Sequence, residues 1–193
     1  MTKSGKLIVI SAPSGSGKTT IAKAIMTKYP AIEFSVSATT RPARKGETNG
    51  KEYFFLDRPE FERKVGRGEL VEWEEIYGDL YGTLRSEVER ALSQGKVMLF
   101  DIDVKGGLSI KKQYPEALLI FIRPPSVDAL KERLTGRKTE NEERLQRRLA
   151  RVPMELEMGS QFDREVINDD LEKAIAEVEA LVRDHTELVP INS

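Results

Sequence analysis

The apolar run Leu7-Ile8-Val9-Ile10 passes directly into Ser11-Ala12-Pro13-Ser14-Gly15-Ser16-Gly17-Lys18-Thr19-Thr20, and this junction constrains the chain more than any other stretch. Downstream, Ile21, Ala22, Ala24, Ile25 and Met26 recur at helical spacing. A strand, a loop of small residues and a helix in immediate succession read as one unit of an α/β sheet. The small residues let the backbone curl until successive N–H groups converge on one anion. The helix behind them adds its N-terminal N–H groups and the positive end of its dipole. In such a phosphate-binding loop Lys18 reaches the β- and γ-phosphates and Thr19 offers its hydroxyl to Mg²⁺. The strict pattern GxxxxGK[ST] has glycine where this chain has Ala12, whose methyl group is a small obstruction. A flexible Ser/Gly turn before a helix is the plainer alternative; the preceding strand and the Gly-Lys-Thr-Thr opening favour a nucleotide.

The later text repeats the α/β rhythm. Helices are expected at 59–65, 85–93 and 108–114, and strands at 70–73, 97–103 and 117–122. Strands alternating with helices predict a parallel sheet with right-handed crossovers. From Ile32 to Trp73 the elements are short and largely β-prone, which suggests an inserted lobe. Ser126 is expected to cap a helix, Glu165 to Ile167 to form a last strand, and Asn168-Asp169-Asp170 to cap the final helix. From 133 to 151 the chain is highly charged with few apolar anchors. Gly136 breaks it and arginines recur at 133, 137, 144, 147, 148 and 151. Such a run is ordinarily a solvated helix face; here it also suits a mobile lid over phosphates.

Composition narrows the partners. The 193 residues fit one domain with excursions, and 31 basic against 32 acidic residues give no chain-wide basic field for nucleic acid. The chain has no cysteine, so disulfides and thiolate metal sites are excluded, as suits a reducing cytoplasm. No run approaches the length of a membrane span. A cytoplasmic protein acting on small molecules is expected.

Two further segments carry chemistry. Val97-Met98-Leu99-Phe100 ends in Asp101-Ile102-Asp103, which as a strand places both carboxylates on one face at the ligand-binding edge of a parallel sheet. Asp101 there can hold Mg²⁺ through water beside Thr19. Arg41 and Arg44, in SVSATTRPARKGE, offer planar forks for a second phosphate, with Tyr53 adding a hydroxyl. Two phosphate-binding groups in one small chain suggest a donor and an acceptor nucleotide.

The motifs SAPSGSGKTT, SVSATTRPARKGE, NGKEYFF, ELVEW, YGDLYGT, LFDID, RPPS, LKERLTGR and VINDD together resemble the guanylate kinases, nearly end to end. That resemblance implies a P-loop NTPase-type parallel sheet flanked by helices, with an inserted mixed α/β lobe that binds GMP and a helical lid. The core would comprise 1–37, 85–127 and 153–193, the lobe 38–84 and the lid 128–152. It implies transfer of the γ-phosphate of ATP to GMP (and dGMP) with Mg²⁺. The GMP phosphate would meet Arg41, Arg44, Tyr53 and Tyr81, and guanine would meet Ser37, Glu72, Thr83 and Asp103. ATP would lie on residues 12–20 with Asn168 near adenine, and Lys18, Arg41, Arg133, Arg137 and Arg148 would neutralise the transferring group. Glu72 has a plainer alternative, the outward residue of a strand that buries Val71 and Trp73. A kinase for AMP or UMP and a noncatalytic interaction module are the rival functions; monomer and homo-oligomer stay equally open.

Overall fold

A computed structural model of the chain describes residues 5–76, 78–135 and 142–191. The first strand, β1 (Lys6–Ser11), is the middle of a five-stranded sheet. On one side lie β7 (Val97–Asp101) and then β2 (Ile32–Phe34); on the other lie β8 (Leu118–Arg123) and then β9 (Arg164–Ile167). Every pairing in this sheet is parallel, so the carboxyl ends of all five strands share one edge. Register sets Ile10 beside Asp101 and Ser11 beside Phe121, which places Asp101 next to the start of the loop.

The alternation of side chains along β1 divides the core. Ile8 and Ile10 point to one face, against Ile21 and Ile25 of α1 (Lys18–Lys28) and Val178 and Val182 of α7 (Leu171–Thr186). Leu7 and Val9 point to the other, with Val88 of α3 (Arg85–Ser93) and Ile110 of α4 (Val104–Gln113). Both faces of the sheet are therefore covered, as the unbroken apolar text of its strands requires.

The inserted segment forms its own four-stranded sheet, in the order β4 (Phe54–Phe55), β3 (Ala38–Thr39), β6 (Asp79–Leu84), β5 (Leu70–Ile76). Helix α2 (Arg58–Gly66), capped by Asp57 through the Glu60 N–H, drives Phe61 into a small core with Ala38, Leu70 and Leu80. Complete burial of one such ring stabilises by about 1.5–3 kcal/mol. Helices α5 (Val127–Thr135) and α6 (Glu142–Gly159) complete the order, and Ser126 accepts the Ala129 N–H at the start of α5 as expected. Helix α6 runs without a break through Val152 and Pro153, where the sequence had suggested that the lid passes into the core.

Three local expectations change. Strand β7 ends at Asp101, because Asp103 is the N-cap of α4 and accepts the Lys105 and Gly106 N–H groups at 2.8 and 3.2 Å. The two carboxylates are therefore not strand neighbours on one face; the preference of Asp for the N-cap ends the strand. Helix α4 starts at Val104, four residues earlier than the apolar periodicity indicates, since Gly106 and Gly107 hide its first turn. The charged segment is also better anchored than it reads: Leu130, Leu134 and Val152 are buried, with Leu145, Leu149 and Leu156 packed against them. Their helical periodicity was diluted by the arginines between them. Among the described residues no helix is long and apolar enough to cross a membrane.

Candidate active site

The phosphate loop runs from the end of β1 to the first residue of α1. Gly15 (φ 92°) and Gly17 (φ 90°) take it through left-handed backbone that other residues rarely adopt, and Gly17 is the N-cap of α1. Close approach adds a second reason for glycine at 15, where a Cβ would stand 2.8 Å from Leu134 Cδ2 of α5. Asn168, just past β9, is buried and donates its side-chain amide to the Ser16 carbonyl at 2.8 Å. Arg133 in turn donates to the Asn168 carbonyl at 2.9 Å. Both residues thus support the loop, and the Asn168 amide faces loop backbone. Gly136 and Arg137 lie outside the described residues, as does the side chain of Arg144.

Lys18 and Asp101 meet at the loop's mouth. Lys18 Nζ lies 2.6 Å from Asp101 Oδ1 and donates to the Ile102 carbonyl at 2.9 Å. The Thr19 hydroxyl donates to the other carboxylate oxygen, Oδ2, at 2.8 Å. A cavity of about 360 Å³ opens here between the loop and α6, lined by Ala12 to Gly15, Gly17 to Thr20, Asp103, Arg148, Arg151 and Glu155.

A second cavity, also about 360 Å³, shares Lys18 and Asp103 with the first and reaches into the lobe through Asp101, Ser37, Tyr53, Tyr81 and Glu72. Glu72 is buried, and the Thr83 hydroxyl donates to its Oε1 at 2.6 Å. Burial drives the Glu72 carboxyl up to about 7 from an ordinary 4.5; the Thr83 hydrogen bond opposes the rise, and the Asp103 and Glu74 charges add to it. Trp73 is half exposed and Glu72 is buried, so the plainer alternation, with Val71 and Trp73 both inside, holds for Val71 alone. The cause is a β-bulge between Leu70 and Glu72 against β6, which keeps Leu70, Val71 and Glu72 all buried before the alternation resumes. Thr83 is buried beneath the carboxylate and orients it.

A third cavity of about 500 Å³ gathers Arg41, Arg44, Arg147 and Arg148 around Tyr81, with Asp79 as the carboxylate in its lining. Such a lining attracts an anion. Arg41 is held by both Glu47 oxygens, at 3.0 and 2.9 Å, with its Cζ 5.2 Å from the Tyr53 ring centroid and 5.8 Å from that of Phe55. The Arg41 guanidinium and the Arg44 N–H hold the Glu47 carboxyl below its ordinary value.

Sequence reasoning missed three groups. Glu47, the last residue of SVSATTRPARKGE, braces Arg41 through both carboxylate oxygens. Glu74 on β5 meets Arg151 of α6 at 3.2 Å and Lys105 at 3.6 Å, joining lobe to helix. Glu155 is buried one turn beyond Arg151, 3.5 Å from its guanidinium, and burial raises its carboxyl. The spacing of Arg151 and Glu155 on one helix was the available signal.

Comparison with known proteins gives one consistent result. The family model described as guanylate kinase matches residues 4–185. A guanylate kinase of Symbiobacterium thermophilum is 46% identical over 178 residues, covering 92% of this chain and 84% of the relative. One from Salinibacter ruber is 49% identical over 179 residues, covering 92% and 95%. The crystal structure of guanylate kinase from Anaplasma phagocytophilum superposes with a TM-score of 0.74 at 30% identity, covering 98% of this chain and 92% of that one.

Proposed function

The chain belongs to the guanylate kinase family, and on that premise we propose how its residues transfer the γ-phosphate of ATP to GMP. The observation that carries the reading is one cavity holding both Lys18, at the phosphate loop, and Glu72, buried on the lobe. A group that handles the donor's phosphate and a group that can read a base thus face the same space.

The loop N–H groups and the α1 N-terminus hold the β- and γ-phosphates, and Lys18 leaves Asp101 to meet them. Thr19 and Asp101 suit Mg²⁺, because a hydroxyl and a carboxylate oxygen already lie 2.8 Å apart there, and Mg²⁺ takes few protein oxygens beside phosphate. When bound with ATP, Mg²⁺ supplies charge neutralisation to the phosphate oxygens. Arg41, Arg44, Tyr53 and Tyr81 bind the GMP phosphate, while Ser37, Glu72 and Asp103 read guanine and Thr83 orients Glu72. A GMP phosphate oxygen bonds to the γ-phosphorus as the bond from that phosphorus to the β,γ-bridging oxygen breaks, leaving ADP. The acceptor is already ionised, so no general base is assigned. Arg133, Arg137 and Arg148 stabilise the equatorial oxygens. The test is ADP formation from ATP with GMP, AMP or UMP as acceptor. We expect turnover with GMP alone; no turnover with any of them would point to the interaction module, and preference for AMP or UMP to another kinase.

The segment carrying these arginines acts as the lid. Its closure excludes water that would otherwise hydrolyse ATP. Amides from Val127 to Thr135 and from Glu142 to Arg151 are therefore expected to exchange about tenfold more slowly, or slower still, when a bisubstrate analogue binds. Equal exchange with and without the analogue would make α5 and α6 a rigid wall of the site.

A further inference from the structure

We propose that Gly106 is a specificity-determining position, because its missing side chain is the space into which the Glu72 carboxylate is set. The inference rests on the reading of Glu72 as the guanine-recognising group. A Cβ on residue 106 would stand 2.9 Å from Glu72 Oε2 and 3.3 Å from both Glu72 Cδ and Ile102 Cδ1. Real Cβ atoms do not approach an oxygen so closely, so one of the two groups must move.

Conformation does not explain this glycine. Gly106 lies in the first turn of α4 and is not among the glycines with positive φ. Alanine is the best helix former and glycine a poor one, so the helix taken alone favours alanine. Gly106 is buried, and the group it makes room for is a carboxylate.

The carboxylate has little freedom to retreat. Its Oε1 is held at 2.6 Å by Thr83, and Glu72 is itself buried. The open direction is the cavity shared with Ser37 and Tyr81, where the base edge is read. A methyl group at 106 therefore either breaks the Thr83 bond or pushes Oε2 into the base's space. Either change spoils a pair of parallel hydrogen bonds to guanine N1–H and the 2-amino group. Gly107 is the natural control: a Cβ there would stand 2.8 Å from Phe162 Cζ and 3.3 Å from Val9 Cγ1, which are core contacts.

Steady-state kinetics of the full chain with GMP, and with IMP, which lacks the 2-amino group, test this in Gly106→Ala, Gly107→Ala and Glu72→Gln. Gly106→Ala is expected to lose about 10–100-fold in kcat/KM for GMP and about tenfold in the GMP to IMP ratio, with KM for ATP within about twofold. Gly107→Ala is expected to lower Tm and keep the GMP to IMP ratio. Adding Glu72→Asp, which withdraws the carboxylate by one methylene, should recover about fivefold of the Gly106→Ala loss, a coupling that two independent defects would not show. A folded Gly106→Ala with unaltered GMP kinetics and ratio, beside an impaired Glu72→Gln, overturns the role of Gly106 alone. An unimpaired Glu72→Gln overturns the reading of Glu72 itself. Should Gly106→Ala fail to fold, the double variant must fold; if it also fails, the clash is not with Glu72 and the proposal is overturned.

Discussion

Lys18→Ala is expected to fold normally and to lose on the order of 10²–10³ in kcat, about 3–4 kcal/mol of transition-state stabilisation. The side chain spans the loop's mouth and lies outside the core: its ammonium pairs with Asp101 at 2.6 Å and bonds the Ile102 carbonyl. Without substrate that contact has a modest worth, because such partly exposed pairs contribute about 0–1 kcal/mol. Asp101 also keeps the Thr19 hydroxyl as a partner. A shift in Tm of no more than about 2–4 °C follows. In the proposed mechanism the same charge faces phosphate oxygens whose negative charge redistributes during transfer, and its removal would be felt there in kcat. Lys18→Arg is not a rescue, since a planar fork cannot replace a compact ammonium in a loop of this curvature. Thermal melting and single-turnover transfer measured on the same preparation decide the matter. A folded Lys18→Ala with near-parental kcat would remove the phosphate loop from the mechanism.

Much of this site was legible because its signals are local. The loop from Ala12 to Thr20 states its own backbone: glycine where φ is positive, lysine and threonine where the helix begins. The parallel order was legible for a similar reason, since each buried strand is an unbroken apolar word. What stayed hidden depends on partners far away in the chain. The bulge that turns Glu72 inward arises from the pairing of β5 with β6, and nothing in Val71-Glu72-Trp73 encodes it alone. Asp103 could end a strand or cap a helix, and the choice belongs to α4, whose start its glycines conceal. Glu47 and Glu74 acquire a role only through Arg41 and Arg151, which the fold sets beside them. Gly106 had no signal at all, because a vacancy is defined only by the side chain that fills it.

Glu72→Gln is expected to weaken the enzyme and strengthen the fold at once. Guanine presents N1–H and its 2-amino group as adjacent donors, and an ionised carboxylate, which only accepts, can meet both. Glutamine turns one acceptor into a donor aimed at a donor. The expected loss is about 2–3 kcal/mol, roughly 30–150-fold in kcat/KM for GMP, with KM for ATP little changed. Stability moves the other way. The Glu72 carboxyl sits at about 7 in the folded chain against an ordinary 4.5. Between those values the folded state keeps a proton that the unfolded state has lost, so this group's contribution falls as pH rises through that window. Above about pH 7 the folded protein carries the full cost of a buried charge, about 3 kcal/mol. Glutamine carries none of it, so Glu72→Gln should melt higher than the parent at pH 8, by about 6–12 °C, and near the parent at pH 5. If Glu72 reads guanine as proposed, the same ionisation governs the acceptor. KM for GMP should rise as pH falls below 7 in the parent, beyond any change due to the GMP phosphate, and that extra rise should vanish in Glu72→Gln. Unchanged GMP turnover in the variant would show that Glu72 is not the base-reading acceptor, and a parental melting advantage at pH 8 would show that it is not a buried charge held at a cost to the fold.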